Sequence, residues 1–314
     1  MAEFMQARGK VCIVTGSAAG LGKEYARILL ENGALVCISD VNENNGMQTQ
    51  QEFKERFGKD VVHFIPCNVT KEEDFMKLYD GAEQYFKRSV DLLVNNAGVS
   101  PAHCGWRKTM DVNIYGVMIG MEIALERMSK SANKGVIINC ASLAGFVTGQ
   151  TGLTNGAASY YASKHACVAL SRDCSNEFKN HGIVVKCLCP AYANTAIIKI
   201  PDPEQQVQFD KKINAIGLME SREVAEGFFK LVTQCKNGSC MALIKDYPAF
   251  LIPDYGMGIV LGIGLISKLA NTFGGGLEVV KPIHELLCVL FLMILLFCIV
   301  MWILQMICFH SKTL

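Results

Sequence analysis

Tyr160 and Lys164 lie four residues apart in the stretch SYYASK at 159–164, with Ser142 upstream. On a helix this spacing puts both side chains on one face, so an ammonium can sit beside a phenol. Making a base of a phenol near neutrality takes about 4 kcal/mol of preferential phenolate stabilisation. One positive charge about 4 Å away, at an effective dielectric of about 20, supplies roughly that much. A Ser142 hydroxyl at the end of a preceding strand can then hold a substrate oxygen against the phenol, so Ser142 and Tyr160 are the expected substrate contacts. General acid–base chemistry on an alcohol or ketone needs that geometry. Tyr-x-x-x-Lys also arises by accident on amphipathic helices, so its meaning depends on the elements that must position it.

Those elements begin with KVCIVT at 10–15, an apolar run of buried-strand type that leads into GSAAGLG at 16–22 and a helical pattern to Asn32. Strand, glycine turn and helix together let backbone amides and a helix N-terminus cradle a pyrophosphate. Gly16 permits the turn, Gly20 allows close approach of a cofactor and Gly22 lets helix pack on strand. A second run at 34–39 ends at Asp40, where an acidic side chain can accept hydrogen bonds from an adenosine ribose and repel the 2′-phosphate of NADP. No arginine in the glycine loop or just after Asp40 offsets that repulsion, so NAD is the expected cofactor.

Segments 43–57 and 71–87 read as helices, each followed by a strand run, at 61–66 and 90–94. Their alternation predicts an α/β fold of Rossmann type: a doubly wound parallel sheet in a single domain, with ligands at the carboxyl ends of the strands. Cys67, Asn68 and Val69 follow one such strand, and NNAG at 95–98 follows another. A helix is expected over 109–130, strands over 135–139 and 183–189, and the helix bearing Tyr160 and Lys164 over 159–179.

With 314 residues the chain can build a full core, and its net charge of +1 gives no nucleic-acid footprint. Of its fourteen cysteines, Cys12, Cys37, Cys67, Cys140, Cys187 and Cys189 fall inside apolar runs, without Cys-x-x-Cys pairs or histidines at metal-ligand spacing. Buried free thiols in a reducing compartment, and no metal, are therefore expected. MAEFMQARGK at the N-terminus lacks the basic-then-apolar pattern of a signal peptide.

Together these stretches resemble the short-chain dehydrogenase/reductase family over residues 8–247: TGSAAGLG at 15–22, NNAG at 95–98, Asn113, Ser142 and YYASK at 160–164 occur in the family's order. The resemblance implies an NAD-dependent oxidoreductase in which Tyr160 is the general base, Lys164 lowers its pKa and holds the nicotinamide ribose, and Asn113 places a relay water. It also implies cofactor contacts from Ser17, Leu21, Val41, Asn95, Ala97, Ala193, Asn194 and Thr195. Asn139 to Gly145, YYASKHA at 160–166 and CPAYANTAI at 189–197 are similar to members that oxidise a secondary alcohol of a lipid-like molecule. Retinol or hydroxysteroid oxidation is the alternative within the family. A non-catalytic dinucleotide-binding scaffold is the alternative outside it, and the intact Ser142, Tyr160 and Lys164 argue against that.

Three positions depart from the family's pattern. Asn68 stands where aspartate is common on the adenine side, Ala191 replaces the usual glycine after Pro190, and the interval from Ser142 to Tyr160 is longer than usual. Residues 196–220 correspond to the family's mobile substrate lid, or form a plain surface excursion.

Residues 286–309 (LLCVLFLMILLFCIVMWILQMICF) carry Gln305 as the only strongly polar side chain. At 1.5 Å per residue such a helix spans about 36 Å, enough to cross a hydrocarbon core of about 30 Å. A C-terminal transmembrane tail anchor is expected, joined by residues 248–285, in which 256–273 form an interfacial helix or part of the substrate entrance. Asn68-Val69-Thr70 is a glycosylation sequon, and a glycan there would fill the adenine site, so the catalytic domain is expected on the cytosolic side of its membrane. The expected partners are a small hydrophobic alcohol or ketone and the membrane. Pairing of two copies through 109–130 and 159–179 is implied by the resemblance.

Overall fold

A computed structural model describes residues 5–147 and 158–254. The anchor at 286–309, the segment at 256–273 and most of the long interval before Tyr160 lie outside the described residues. No helix among the described residues is long and apolar enough to cross a membrane. One compact unit comprises Met1–Ile252, five residues beyond the boundary expected at 247.

Its frame is an eight-stranded sheet built from β1 (Val11–Thr15), β2 (Leu35–Asp40), β3 (Val62–Pro66), β4 (Leu92–Asn95), β5 (Gly135–Cys140), β6 (Ile183–Pro190), β7 (Cys240–Leu243) and β8 (Phe250–Leu251). The order is β3-β2-β1-β4-β5-β6-β7-β8. All pairs are parallel except β7 with β8, which run antiparallel through Met241 opposite Leu251 and Ala242 opposite Phe250. The chain winds outward from β1 to β3 and then crosses back to β4. The carboxyl ends of β1 and β4 therefore diverge at a topological switch point, where such sheets bind ligands.

Every residue of β1 is buried, because side chains alternate between two covered faces. Cys12 and Val14 join Val36, Ile38, Leu92, Val94 and Ile138 in one core, packed on Leu29 of helix α1 (Gly20–Glu31) and Phe228 of helix α8 (Ser221–Gln234). Val11 and Ile13 join Cys37, Leu93, Ile137 and Val185 in the other, with Phe75 and Tyr79 of helix α3 (Glu72–Phe86). Helix α2 (Glu43–Phe57) contributes Phe53 to the first core, and helices α5 (Gly116–Lys130) and α6 (Ala158–Lys179) cover the second.

Two expected elements differ in form. The helix expected over 109–130 is instead α4 (Pro101–Met110), a π-helical turn at Asp111–Tyr115 and α5. Pro101 at the first helical position starts it early, and Gly105, at φ 75°, kinks it. The polar stretch at 196–220 is structured rather than a plain excursion: a 3₁₀ turn at Ala196–Ile198 precedes helix α7 (Pro203–Ile216). Asp202 caps α7 by accepting a hydrogen bond from Gln205 N at 2.9 Å, and Gly217, at φ 92°, ends it.

Phe75 is fully buried between α3 and the sheet. Replacing Phe75 by alanine is expected to cost about 3–5 kcal/mol by leaving a cavity. Chemical denaturation checks this, and a loss below about 1 kcal/mol would contradict that packing.

Candidate active site

The switch point is held together by Thr15. Its hydroxyl donates to Val94 O at 3.2 Å and accepts from Asn96 N and Ala97 N, each at 3.1 Å. Asn96 Nδ2 returns the contact, donating to Thr15 O at 2.8 Å and Gly16 O at 3.0 Å. The glycine turn is pressed into this junction. A Cβ on Gly16, whose φ is +63°, would stand 2.7 Å from Ala97 Cα, and one on Gly22 would stand 2.2 Å from Gly16 O. Ala19, the N-cap of α1, offers no side-chain acceptor, and the first turn carries no acidic residue. No side chain of the helix itself thus caps the amides at its start. A side-chain-free cradle at a helix N-terminus fits a pyrophosphate.

Asp40 ends β2 beside this loop. Its Oδ2 accepts from Ala18 N at 3.1 Å and its Oδ1 from Asn42 N at 3.0 Å, so the carboxylate is fixed in place with lone pairs remaining for a ribose diol. Val41, 73% exposed, stands at the cleft edge, and Cys67, Asn68 and Val69 line its outer end.

Two expected cofactor contacts point elsewhere. Ser17 is fully buried, donating to Val14 O at 2.7 Å and accepting from Ser39 N at 2.8 Å; it braces the loop from behind. Asn95 is buried as well. Its Nδ2 donates to Asn139 Oδ1 at 2.9 Å, and Asn139 Nδ2 donates to Ser171 Oγ of α6 at 3.0 Å. As the last residue of β4, Asn95 faces the core by strand alternation, and Asn96 takes the cleft position instead.

The strand-end residues converge with α6 on a cleft of about 1460 Å³ that runs from the glycine loop past Ser142, Tyr160 and Lys164 to α7. Lys164 is buried, and its Nζ donates to Cys140 O at 2.8 Å. The ammonium lies 5.6 Å from the centroid of the Tyr160 ring, over the aromatic face rather than hydrogen-bonded to the phenol. Burial opposes the charge on Lys164, but the pull of Tyr160 and neighbouring thiols outweighs it and holds this lysine above its ordinary value. Ser142 Oγ donates to Pro190 O at 3.2 Å and accepts from Ala144 N at 3.1 Å, capping the 3₁₀ turn Leu143–Gly145. That turn is clamped to α6, since a Cβ on Gly145 would stand 2.7 Å from Lys164 O.

Asn113 sits in the π-helical turn and is 1% exposed. Its Oδ1 accepts from Val99 N at 2.8 Å, and its Nδ2 donates to Val99 O at 3.0 Å and Ser163 Oγ at 3.1 Å. The side chain thus ties the loop after β4 to α6 beside Tyr160. Its amide is engaged with protein groups, so the structure shows a positioning contact.

After β6, Ala191 continues the ladder by donating its N–H to Leu243 O at 2.8 Å and is absent from the described positive-φ residues, so no glycine is needed there. Ala193, Asn194 and Thr195 then line the cleft, and Thr195 Cγ2 lies 3.5 Å from where a Cβ on Gly20 would be. Leu21 completes the glycine side.

An aromatic wall that no local sequence pattern marks lines the far half: Trp106, Tyr161, Tyr192 and Phe209. Tyr192 and Phe209 meet edge-to-face at 5.2 Å, and burial pushes the phenols of Tyr161 and Tyr192 up. Gln205, Gln208, Phe209, Lys212 and Ile216 line the cleft at helical spacing, a signal readable once 203–216 is taken as a helix.

The short chain dehydrogenase family profile matches residues 10–205. The 15-hydroxyprostaglandin dehydrogenase [NAD(+)] of Macaca fascicularis is 31% identical over 266 residues, covering 78% of this chain and 97% of that protein. The Homo sapiens enzyme of that name is 32% identical over 253 residues, covering 76% and 92%. Zerumbone synthase of Zingiber zerumbet is 35% identical over 254 residues, covering 73% and 90%. Among solved structures, levodione reductase superposes with a TM-score of 0.67 at 23% identity over 76% of this chain and 96% of its own, a likeness of fold.

Gly22→Ala is expected to weaken NAD binding at least about tenfold, because its methyl must displace Gly16 O from the cradle. Calorimetric titration with NAD checks this, and unchanged affinity would remove the glycine loop from the site.

Proposed function

Because this chain belongs to the short-chain dehydrogenase family and is an NAD-dependent dehydrogenase acting on CH–OH groups, we propose that it oxidises a secondary alcohol of a lipid-like substrate, of the 15-hydroxyprostaglandin type, to a ketone. The observation that carries this reading is the continuity of the cleft, in which Trp106, Tyr161, Tyr192 and Phe209 line the same cavity as Ser142 and Tyr160. Apolar clefts with a few convergent polar groups suit hydrophobic ligands with one reacting oxygen. The names of the 15-hydroxyprostaglandin relatives supply the substrate type.

NAD, when bound, supplies the hydride acceptor. Gly16, Gly20, Leu21 and Gly22 cradle its pyrophosphate and Asp40 and Val41 its adenosine ribose. Ala97, Ala193, Asn194 and Thr195 border the nicotinamide half. Ser142 exchanges its contact with Pro190 O for the substrate hydroxyl and orients it toward Tyr160. Tyr160 acts as the phenolate, which the ammonium of Lys164, anchored on Cys140 O, stabilises; it accepts the hydroxyl proton and becomes the phenol. Asn113 keeps Val99 and Ser163 in place around Lys164, through which the proton leaves.

Tyr160→Phe is expected to lower the rate by about 10²–10⁴-fold with NAD affinity unchanged. NADH absorbance with prostaglandins, retinol and hydroxysteroids checks this. NADH formed only with retinol or a steroid would move the substrate class, and full activity of Tyr160→Phe would remove Tyr160 from the chemistry.

The apolar run at 286–309 supports a single-pass anchor in an organelle membrane with the catalytic domain on the cytosolic side, where a membrane-partitioned alcohol is concentrated. Two copies paired along α5 and α6 would cover Tyr115 and Met118, which are 56% and 47% exposed. In sealed vesicles the dehydrogenase is expected to be active without detergent, and activity that appears only after the vesicles are opened would overturn the orientation.

A further inference from the structure

The strand order determines what the far end of a bound dinucleotide meets. With the pyrophosphate at the loop after β1 and the adenosine ribose at Asp40 on β2, the base lies toward the next strand outward, β3. At the carboxyl end of β3 the cleft is lined by Cys67, Asn68 and Val69. The Cys67 thiol is pushed up to about 12 by burial and stays neutral. Val69 is apolar. Asn68 is therefore the polar side chain of the three that can read the edge of the base.

The local chain decides which of its two amide groups is offered. Thr70 N donates to Asn68 Oδ1 at 3.1 Å, and Thr70 Oγ1 donates to the same oxygen at 2.8 Å. A backbone N–H can only donate, so the amide atom facing Thr70 must be the oxygen. The backbone is held as well, with Lys71 N donating to Asn68 O at 2.9 Å and Asn68 N donating to Asp74 Oδ2 at 3.3 Å. Both lone pairs of Oδ1 are thus taken within the chain. Nδ2, a donor, has no partner among the described residues.

We propose that Asn68 presents a hydrogen-bond donor to the C6 edge of the bound base, so that this enzyme does not select for the amino group of adenine. The C6 amino group is itself a donor, and two facing donors gain nothing from one another, whereas a C6 carbonyl oxygen accepts. Asn68→Asp keeps an oxygen toward Thr70 and replaces Nδ2 by an acceptor, the arrangement that rewards the amino group. Asn68 is in this sense a determinant of cofactor specificity.

Calorimetric titration of the full chain in detergent, with NAD and with its hypoxanthine counterpart carrying oxygen in place of the C6 amino group, tests the assignment. The wild type is expected to bind the hypoxanthine form at least as tightly as NAD. In Asn68→Asp the affinity ratio should move toward NAD by about tenfold or more, the effect of one hydrogen bond gained against one opposed. Circular dichroism verifies that the variant is folded. Should it not be, Asn68→Ser, which keeps an acceptor near Thr70 and removes Nδ2, is expected to lower affinity for the hypoxanthine form more than for NAD. A wild type that prefers NAD tenfold, or a ratio that neither variant moves, overturns the proposal.

Discussion

A buried ammonium is the constraint from which the geometry of this molecule follows. Removing the charge of Lys164 from water costs several kcal/mol unless it is paired, and what compensates is the Cys140 carbonyl at 2.8 Å and the face of the Tyr160 ring. Neither partner is on offer unless the end of β5 and the first turns of α6 are held in register. Asn139 bonds Ser171, Asn113 bonds Ser163, and Gly145 lets the turn after Ser142 touch the backbone of Lys164. The reactive corner is thus a by-product of satisfying one charge, and the polar residues around it act as braces.

The cofactor half is built on an opposite rule: absence of side chains. Gly16 and Gly22 leave room that a single methyl would fill, and Asp40 uses its oxygens to draw the loop into shape before any ribose arrives. The two halves meet at Thr15 of β1, whose hydroxyl holds both the end of β4 and the turn after it. Strand order alone brings these regions together, since β4 returns to the side of β1 that β2 leaves open.

Most of this frame was legible in the sequence, because buried parallel strands write themselves as apolar runs and β1, β2 and β6 are such runs. The paired spacing of Tyr160 and Lys164 and the glycine turn were legible for the same reason: each is a local pattern. What was not legible depends on three-dimensional facing. Ser17 and Asn95 have the residue types of ligand contacts, yet each lies on the inner side of its strand end and bonds inward. Asn113 was found, but not that its amide holds Val99 and Ser163 rather than standing free. Helix α7 carries its own start and stop, Asp202-Pro203 and Gly217, and was hidden by its polarity. The aromatic wall is assembled from Trp106, Tyr192 and Phe209, on separate elements, and no window of sequence contains it.

The short strand β8 settles how the catalytic unit bears load. Phe250 and Leu251 pair antiparallel with β7, Ile252 N donates to Cys240 O at 2.8 Å, and Arg172 Nη2 on α6 donates to Ile252 O at 3.0 Å. A pull on the chain beyond residue 252 therefore enters through backbone bonds of an edge strand and through the Arg172 guanidinium. That edge is separated from β1 and its glycine turn by four strands, so the tether of the chain end and the cofactor cradle share no strand.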